Sequence, residues 1–346
     1  MKKIMMIATG GTIASGYTKA GLTPRIGAEE LLGFVEEHRE FCTVDMVQPF
    51  SLDSTNIYAV HWLELAALIQ ENYEQYDGFV ICHGTDTMAF TAAALSYLVQ
   101  NSRKPIVITG SQKPINLPVT DARTNLLDSL RFASHPRAHG VNIVFGGNVI
   151  AGTRAKKERS KSYNAFSSIN YPAVAVILDG RIVFYIDDKD RLEGETRFYQ
   201  ELNERVLLLK LVPGMDGTVL NRLFPYYDCV VIEAFGVGGF PEYGQDPFFH
   251  EIRRWTDAGK TVMLATQVTH EGSDMEIYQV GRVIKENFNL LEAYDMTLEA
   301  AVTKAMWILG QTKDPESVRR LFYTTVNHDI LLALEEAADN RGAEPV

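Results

Sequence analysis

A chain of 346 residues with 46% apolar content is long enough for two domains with filled cores. Lys and Arg number 33 against 44 Asp and Glu; the net charge of −11 repels phosphate backbones and argues against nucleic acid as a partner. Three cysteines, Cys42, Cys82 and Cys229, without Cys-x-x-Cys spacing argue against a disulfide framework or a zinc site. No apolar run approaches the roughly 18 residues of a membrane span, and IMMIA is shorter than a signal peptide's apolar region. A cytoplasmic protein acting on a small molecule is expected, with no metal and no cofactor.

In chain order, Lys3–Ala8 reads as a strand and Ala28–Arg39 as a helix, with Leu31, Leu32 and Val35 at helical spacing. Val44–Val47 is a second strand and Tyr58–Tyr73 a second helix. Phe79–Cys82, Ile106–Thr109 and Val141–Phe145 read as buried strands, with helices near Met88–Val99 and Ala122–Ala133 between them. Such alternation predicts a mostly parallel sheet covered on both faces. Strands near Ala173–Leu178 and Ile182–Tyr185 close this larger N-terminal α/β domain, over residues 1–190. The charge-dense stretch beginning at Asp187 predicts a connection, set at 191–212. Strands at Val206–Leu211, Asp228–Phe235 and Thr261–Ala265 follow, with helices near Gly217–Leu223, Pro247–Ala258 and Thr297–Leu309. They predict a smaller C-terminal α/β domain, 213–346.

Ligands of open α/β sheets bind beyond the carboxyl ends of the parallel strands. Four segments are expected there: TGGT (Thr9–Thr12), LDST (Leu52–Thr55), HGTDT (His83–Thr87) and TGSQ (Thr109–Gln112). All are small and rich in hydroxyls, as a polar pocket requires. GTIASGYT, Gly11–Thr18, has Tyr17 where a phosphate loop of the Walker type needs its lysine, and no Gly-x-Gly-x-x-Gly is present, so nucleotide binding is disfavoured.

HGTDT sets a hydroxyl beside a carboxylate at the start of a helix. An ordinary N-cap explains Thr85 or Asp86 equally well. GTRAKKER (Gly152–Arg159) supplies Lys156 and Lys157 after another strand end, which as a basic run also reads as a solvated patch. A threonine hydroxyl needs a base or electrostatic help to act as a nucleophile. A desolvated lysine can take up its proton, and backbone amides at glycine turns can hold an oxyanion. Two threonines, an aspartate and a lysine thus suit acyl transfer from an amide or ester.

ATGGTIAS (Ala8–Ser15) with HGTDTM (His83–Met88) resembles the two signature segments of the bacterial-type L-asparaginases, and LDS and TGSQ fall where that family expects them. The resemblance runs along the chain to ATQ (Ala265–Gln267) and YDMTLEAAVTK (Tyr294–Lys304). It implies L-asparagine as substrate, Thr12 as nucleophile, and Thr85, Asp86 and Lys157 as a second trio activating water or Thr12. Lys157 is preferred to Lys156 on its spacing to Asn164-Ala165-Phe166. Asp53 and Ser54, with Thr55, would hold the substrate's α-amino and α-carboxylate groups, and Asp86 would also meet the ammonium. A homodimer, or a dimer of dimers, is implied.

Leu22 stands where the family's loop carries a tyrosine, with Tyr17 nearby, and Gly239 stands where relatives often have asparagine. The asparaginase-like subunit of the archaeal glutamyl-tRNA amidotransferase is an enzymatic rival reading; the acidic charge and a TGGT beginning at Thr9 count against it. Glutaminase activity is a third enzymatic reading, and a silent amino-acid-binding protein is the one from outside enzymology. Gly16–Gly21, between glycines, is expected to act as a lid.

Overall fold

The computed structural model describes residues 1–18, 21–24, 27–189, 192, 194–241, 247–277, 288 and 290–331, in two compact units, Met1–Gln200 and Glu201–Val346. In the first unit β1 (Lys2–Ala8), β2 (Cys42–Val47), β3 (Gly78–Cys82), β4 (Pro105–Thr109) and β5 (Gly140–Phe145) are parallel. β3 and β4 are buried along their whole length, as apolar strands covered on both faces must be. The tight turn Gly146-Gly147, with φ +57° and +75°, sends β6 (Asn148–Ala151) back antiparallel. β7 (Ala155–Lys157) and β8 (Phe166–Ser168) form a separate hairpin. β9 (Ala175–Leu178) and β10 (Arg181–Phe184) complete an eight-stranded sheet in the order β10-β9-β6-β5-β4-β3-β1-β2.

The helices of this unit are α1 (Ala28–Gly33), α2 (Ala59–Asn72), α3 (Met88–Leu98) and α4 (Ala122–Ser134). α3 is buried on nearly all sides, so its apolar sequence lacks the one-sided stripe of a surface helix. The helix expected over 28–39 stops at Gly33 and resumes as a 3-10 turn, Glu36–Glu40. Glycine disfavours helix by about 1 kcal/mol, which favours a break at that point.

The second unit is a parallel sheet in the order β11 (Val206–Lys210), β12 (Cys229–Ala234), β13 (Thr261–Thr266) and β14 (Leu291–Glu292). Its helices are α5 (Thr218–Leu223), α6 (Pro247–Asp257), α7 (Leu298–Gln311) and α8 (Pro315–Tyr323). Trp255 and Ile252 of α6 pack with Val230, Ile232, Val262 and Leu264 of the sheet. The stretch expected as a connection contributes to both units: Arg197–Phe198 pairs with Val99–Gln100, and β11 is an edge of the second sheet. α8 is not among the expected elements; Asp314 accepts from Ser317 N–H and Pro315 occupies the first turn, a helix start written in the sequence.

Candidate active site

The four loops meet at the carboxyl edge of the first sheet. Thr9 N–H donates to Cys82 O (3.0 Å), Leu52 N–H to Thr9 O (2.8 Å) and Gly11 N–H to Leu52 O (3.0 Å). Gly10 and Gly11, at φ +105° and +77°, turn the chain where a side chain would be strained. They also admit close approach. A Cβ on Gly11 would lie 2.4 Å from Gly84 N, and one on Gly84 2.7 Å from Ser54 Oγ. One on Gly110 would lie 2.2 Å from His83 O. The loops therefore interlock through missing side chains, and Thr12, directly after Gly11, stands beside HGTDT.

The sequence left Thr85 and Asp86 open to a plain capping role. The N-cap of α3 is Thr87, and it makes no side-chain cap; its hydroxyl donates to Ser54 O at 2.7 Å instead. Asp86 accepts from Lys157 Nζ at 2.6 Å, and the same Nζ donates to Thr85 Oγ1 at 2.8 Å. Thr85 is 6% exposed, the Lys157 side chain 15% and the Asp86 side chain 60%. The trio thus opens to solvent at the carboxylate and is closed at the hydroxyl. Lys157 ends β7 opposite Phe166, and strand alternation turns neighbouring Lys156 to the other face.

LDST divides. Ser54 is buried at the joint and its Oγ accepts from Asp86 N–H at 3.3 Å. Asp53 and Thr55 are exposed, and Asp53 Oδ1 accepts from both the Thr55 amide and its hydroxyl at 2.9 Å. The amides of Thr9, Gly11 and Asp86 are all donors in bonds already named, so an oxyanion would have to find other donors. TGSQ contributes Gln112, whose Nε2 donates to Arg159 O (3.3 Å) and Ser162 O (3.1 Å) in the turn after Lys157.

His83 has a role that motif reading missed. It is fully buried, and burial lowers its pKa to about 4. Nδ1 lies 2.6 Å from Gly84 O, which fixes the proton on that nitrogen. Nε2 then accepts from Thr91 Oγ1 at 2.9 Å, which in turn accepts from Trp62 Nε1–H at 2.9 Å. The visible signal was a histidine inside an otherwise apolar strand end.

Ser15–Thr18 and Gly21–Pro24 pair antiparallel, and the register sets Tyr17 opposite Leu22. Lys19 and Ala20, in the segment expected as a lid, lie outside the described residues. Gly239 forms a bridge with Phe235. Among the described residues no cluster of metal-ligating side chains occurs, and no helix is long and apolar enough to cross a membrane.

Residues 3–190 match the model for asparaginase, N-terminal, and residues 205–322 that for the glutaminase/asparaginase C-terminal domain. The chain belongs to the asparaginase family. It is 36% identical over 330 residues to an L-asparaginase of Thermococcus kodakarensis, covering 95% of this chain and 99% of that one. The solved thermostable L-asparaginase from that organism matches with a TM-score of 0.89 at 35% identity, covering 95% of this chain and 99% of that one. A subunit of the glutamyl-tRNA(Gln) amidotransferase of Pyrococcus furiosus is 33% identical over 94% of this chain and 76% of its own length. The asparaginase family thus includes relatives named for two activities on amides.

Proposed function

We propose that this asparaginase-family chain is an L-asparaginase, hydrolysing L-asparagine to L-aspartate and ammonia through an acyl-enzyme on Thr12. The observation that carries the reading is Lys157 Nζ within hydrogen-bond reach of both Thr85 Oγ1 and Asp86 Oδ1, beside the loop that presents Thr12.

In this reading Thr12 Oγ attacks the side-chain amide carbon, and its proton passes to the departing nitrogen, which leaves as ammonia. A β-aspartyl ester remains on Thr12. Water then attacks the ester carbon, and the proton it gives up is relayed through Thr85 Oγ1 and Lys157 Nζ to the Thr12 oxygen as that oxygen leaves, which releases aspartate. The exposed Asp86 carboxylate faces the substrate ammonium, while Asp53 and Thr55, with Ser54 at the joint, serve the α-substituents. No cofactor enters these steps. The reading carries with it a cytoplasmic homo-oligomer, a dimer or a dimer of dimers.

The relationship to an amidotransferase subunit supplies a second reading, in which the same chemistry serves a larger assembly; the net charge of −11 disfavours a tRNA partner. Ammonia release from L-asparagine and from L-glutamine, measured separately, tests the proposal. Asparagine turnover that is lost in Thr12→Ala and in Thr85→Ala, with folding retained, supports it, and the glutamine arm sets the specificity. One methylene of substrate is worth about 1–3 kcal/mol in a pocket. No ammonia from either amide would refute it.

A further inference from the structure

Two helices begin at the site, α3 and α4, and in neither does the N-cap side chain accept from a backbone amide of the first turn. Thr87 holds the LDST loop. The N-cap of α4 is Asp121, with no side-chain cap bond. An aspartate at that position ordinarily accepts from the amides of the first helical turn. Asp121 instead reaches back to TGSQ. Its Oδ2 accepts from Gln112 N–H at 2.8 Å and its Oδ1 from Lys113 N–H at 3.1 Å. The helix start is served by Thr120 Oγ1, which accepts from Ala122 N–H at 3.0 Å.

Two capping residues of the second unit behave otherwise. Thr297 accepts from Ala300 N–H, and Asp314 from Ser317 N–H, each in its own helix. A buried carboxylate, 6% exposed, that takes two loop amides at 2.8 and 3.1 Å and only a longer 3.4 Å contact from Asn125 Nδ2 of its own helix chiefly serves the loop.

That loop touches both halves of the Thr85–Lys157 contact. On one side, Gly110 is seated against His83 O, and His83 N–H donates to Thr109 O at 2.8 Å, so TGSQ sets the height of HGTDT. Asn125, one turn into α4, donates to Gly110 O at 2.9 Å and braces the same end. On the other side, the Gln112 amide holds the turn that follows Lys157 at Arg159 and Ser162.

We propose that Asp121 is a positioning residue that sets the separation of Thr85 and Lys157, acting through the TGSQ loop and the Gln112 side chain. This inference rests on the asparaginase reading for its catalytic consequence. It needs only the geometry for its structural one. A reacting group displaced by about 1 Å can cost on the order of a hundredfold in rate, so a loose loop is expected to show in kcat.

Two variants separate the pin from the tie. Asp121→Ser can still cap α4, yet its short side chain cannot span both loop amides. Gln112→Met keeps the pin and cuts the tie to the Lys157 turn. The first readout needs no substrate. The rate at which a small amine-reactive reagent labels Lys157 is followed by peptide mass spectrometry, with Lys104, held against Tyr73 in the same unit, as internal reference. The second is kcat and KM for L-asparagine.

Both variants are expected to label Lys157 several-fold faster relative to Lys104. In both, kcat should fall about ten- to a hundredfold while KM stays within a factor of about three. Loss of folding alone would raise labelling of both lysines together, and that result would overturn the proposal. So would a Lys157 rate unchanged from the parent in both variants. If the parent chain turns over no asparagine, the labelling arm still decides the pin, and the functional reading fails separately.

Discussion

Each unit holds a lysine 2.6 Å from an aspartate, and the two pairs sit in different surroundings. Lys304 and Asp329, in the second unit, are both fully buried. Lys304 Nζ also donates to Thr324 O at 2.8 Å, and Asp329 Oδ1 accepts from Val326 N–H at 2.8 Å. The pair ties α7 to the chain after α8, and nothing can reach it. In the first unit, Lys157 and Asp86 share their contact with a hydroxyl, and the carboxylate opens to solvent. Distance does not tell the two pairs apart; a hydroxyl partner and an open face do, and in the proposed reading they mark the pair that takes part in the chemistry.

The comparison is broken most sharply by the same substitution at each lysine. Lys157→Met is expected to lower asparagine turnover by about a thousandfold or more, the scale at which removing one catalytic group is felt. Its melting temperature should stay near the parent's, because water can serve the exposed Asp86 carboxylate. Lys304→Met should do the reverse. It leaves Asp329 as a buried charge without its counter-ion, at a cost of about 3–5 kcal/mol by denaturant unfolding, while turnover per folded molecule is kept. The double variant Lys304→Met, Asp329→Leu should recover much of that loss, since an apolar pair of similar volume can replace a buried ion pair. A Lys157 variant that unfolds, or a Lys304 variant that is stable and inactive, would undo the distinction.

Buried ionisable groups without a full counter-charge sharpen it further, because they titrate as the fold forms. His83 has a pKa of about 4 in the folded chain through burial, below the ordinary value of 6.5. The unfolded chain therefore takes up the proton first, and stability drains as pH falls from about 6.5 toward 4. This single group accounts for about 3 kcal/mol across that window. Unfolding curves of the parent against His83→Gln, taken from pH 7 to 4.5, should show the parent's stability falling more steeply.

Asp128 shows the opposite sign. Burial raises its pKa to about 6, with Arg131 3.7 Å away giving only partial relief. Its folded value lies above the ordinary 3.8, so the contribution is favourable at low pH and is lost as pH rises through about 6. Asp128→Asn should accordingly be more stable than the parent at pH 7, by about 1–3 kcal/mol, with the gain shrinking toward zero near pH 4. A pH-independent difference would show that packing, rather than charge, governs the position.

The convergence of the candidate site's loops was legible because its residues follow strands. Apolar runs ending in TGGT, LDST, HGTDT and TGSQ declare both the strand and the polar edge beyond it, and parallel pairing brings such edges together. The interlocking of Gly11 on Gly84 and Gly84 on Ser54 was not legible, since a glycine reports freedom and says nothing of which neighbour will use it. The choice between Lys156 and Lys157 turns on a two-fold alternation whose phase depends on the β7–β8 register. Ser54 and Asp53 are adjacent and polar, yet one is sealed in a loop joint and the other lies in the open. The break at Gly33 and the reversal at Gly146-Gly147 are glycine effects at positions where several outcomes were open. The role of Asp121 was hidden for a related reason: an aspartate before a helix reads as its cap.

The covalent step is the central claim, and it can be observed directly. The enzyme is mixed with L-asparagine, quenched in acid within the first turnovers, digested and read by mass spectrometry. The peptide spanning Thr12 is expected to gain the mass of one aspartyl group, and the adduct should persist longer in Lys157→Met than in the parent. Ammonia released with the adduct on Thr85, or with no adduct on either threonine in both proteins, would contradict it.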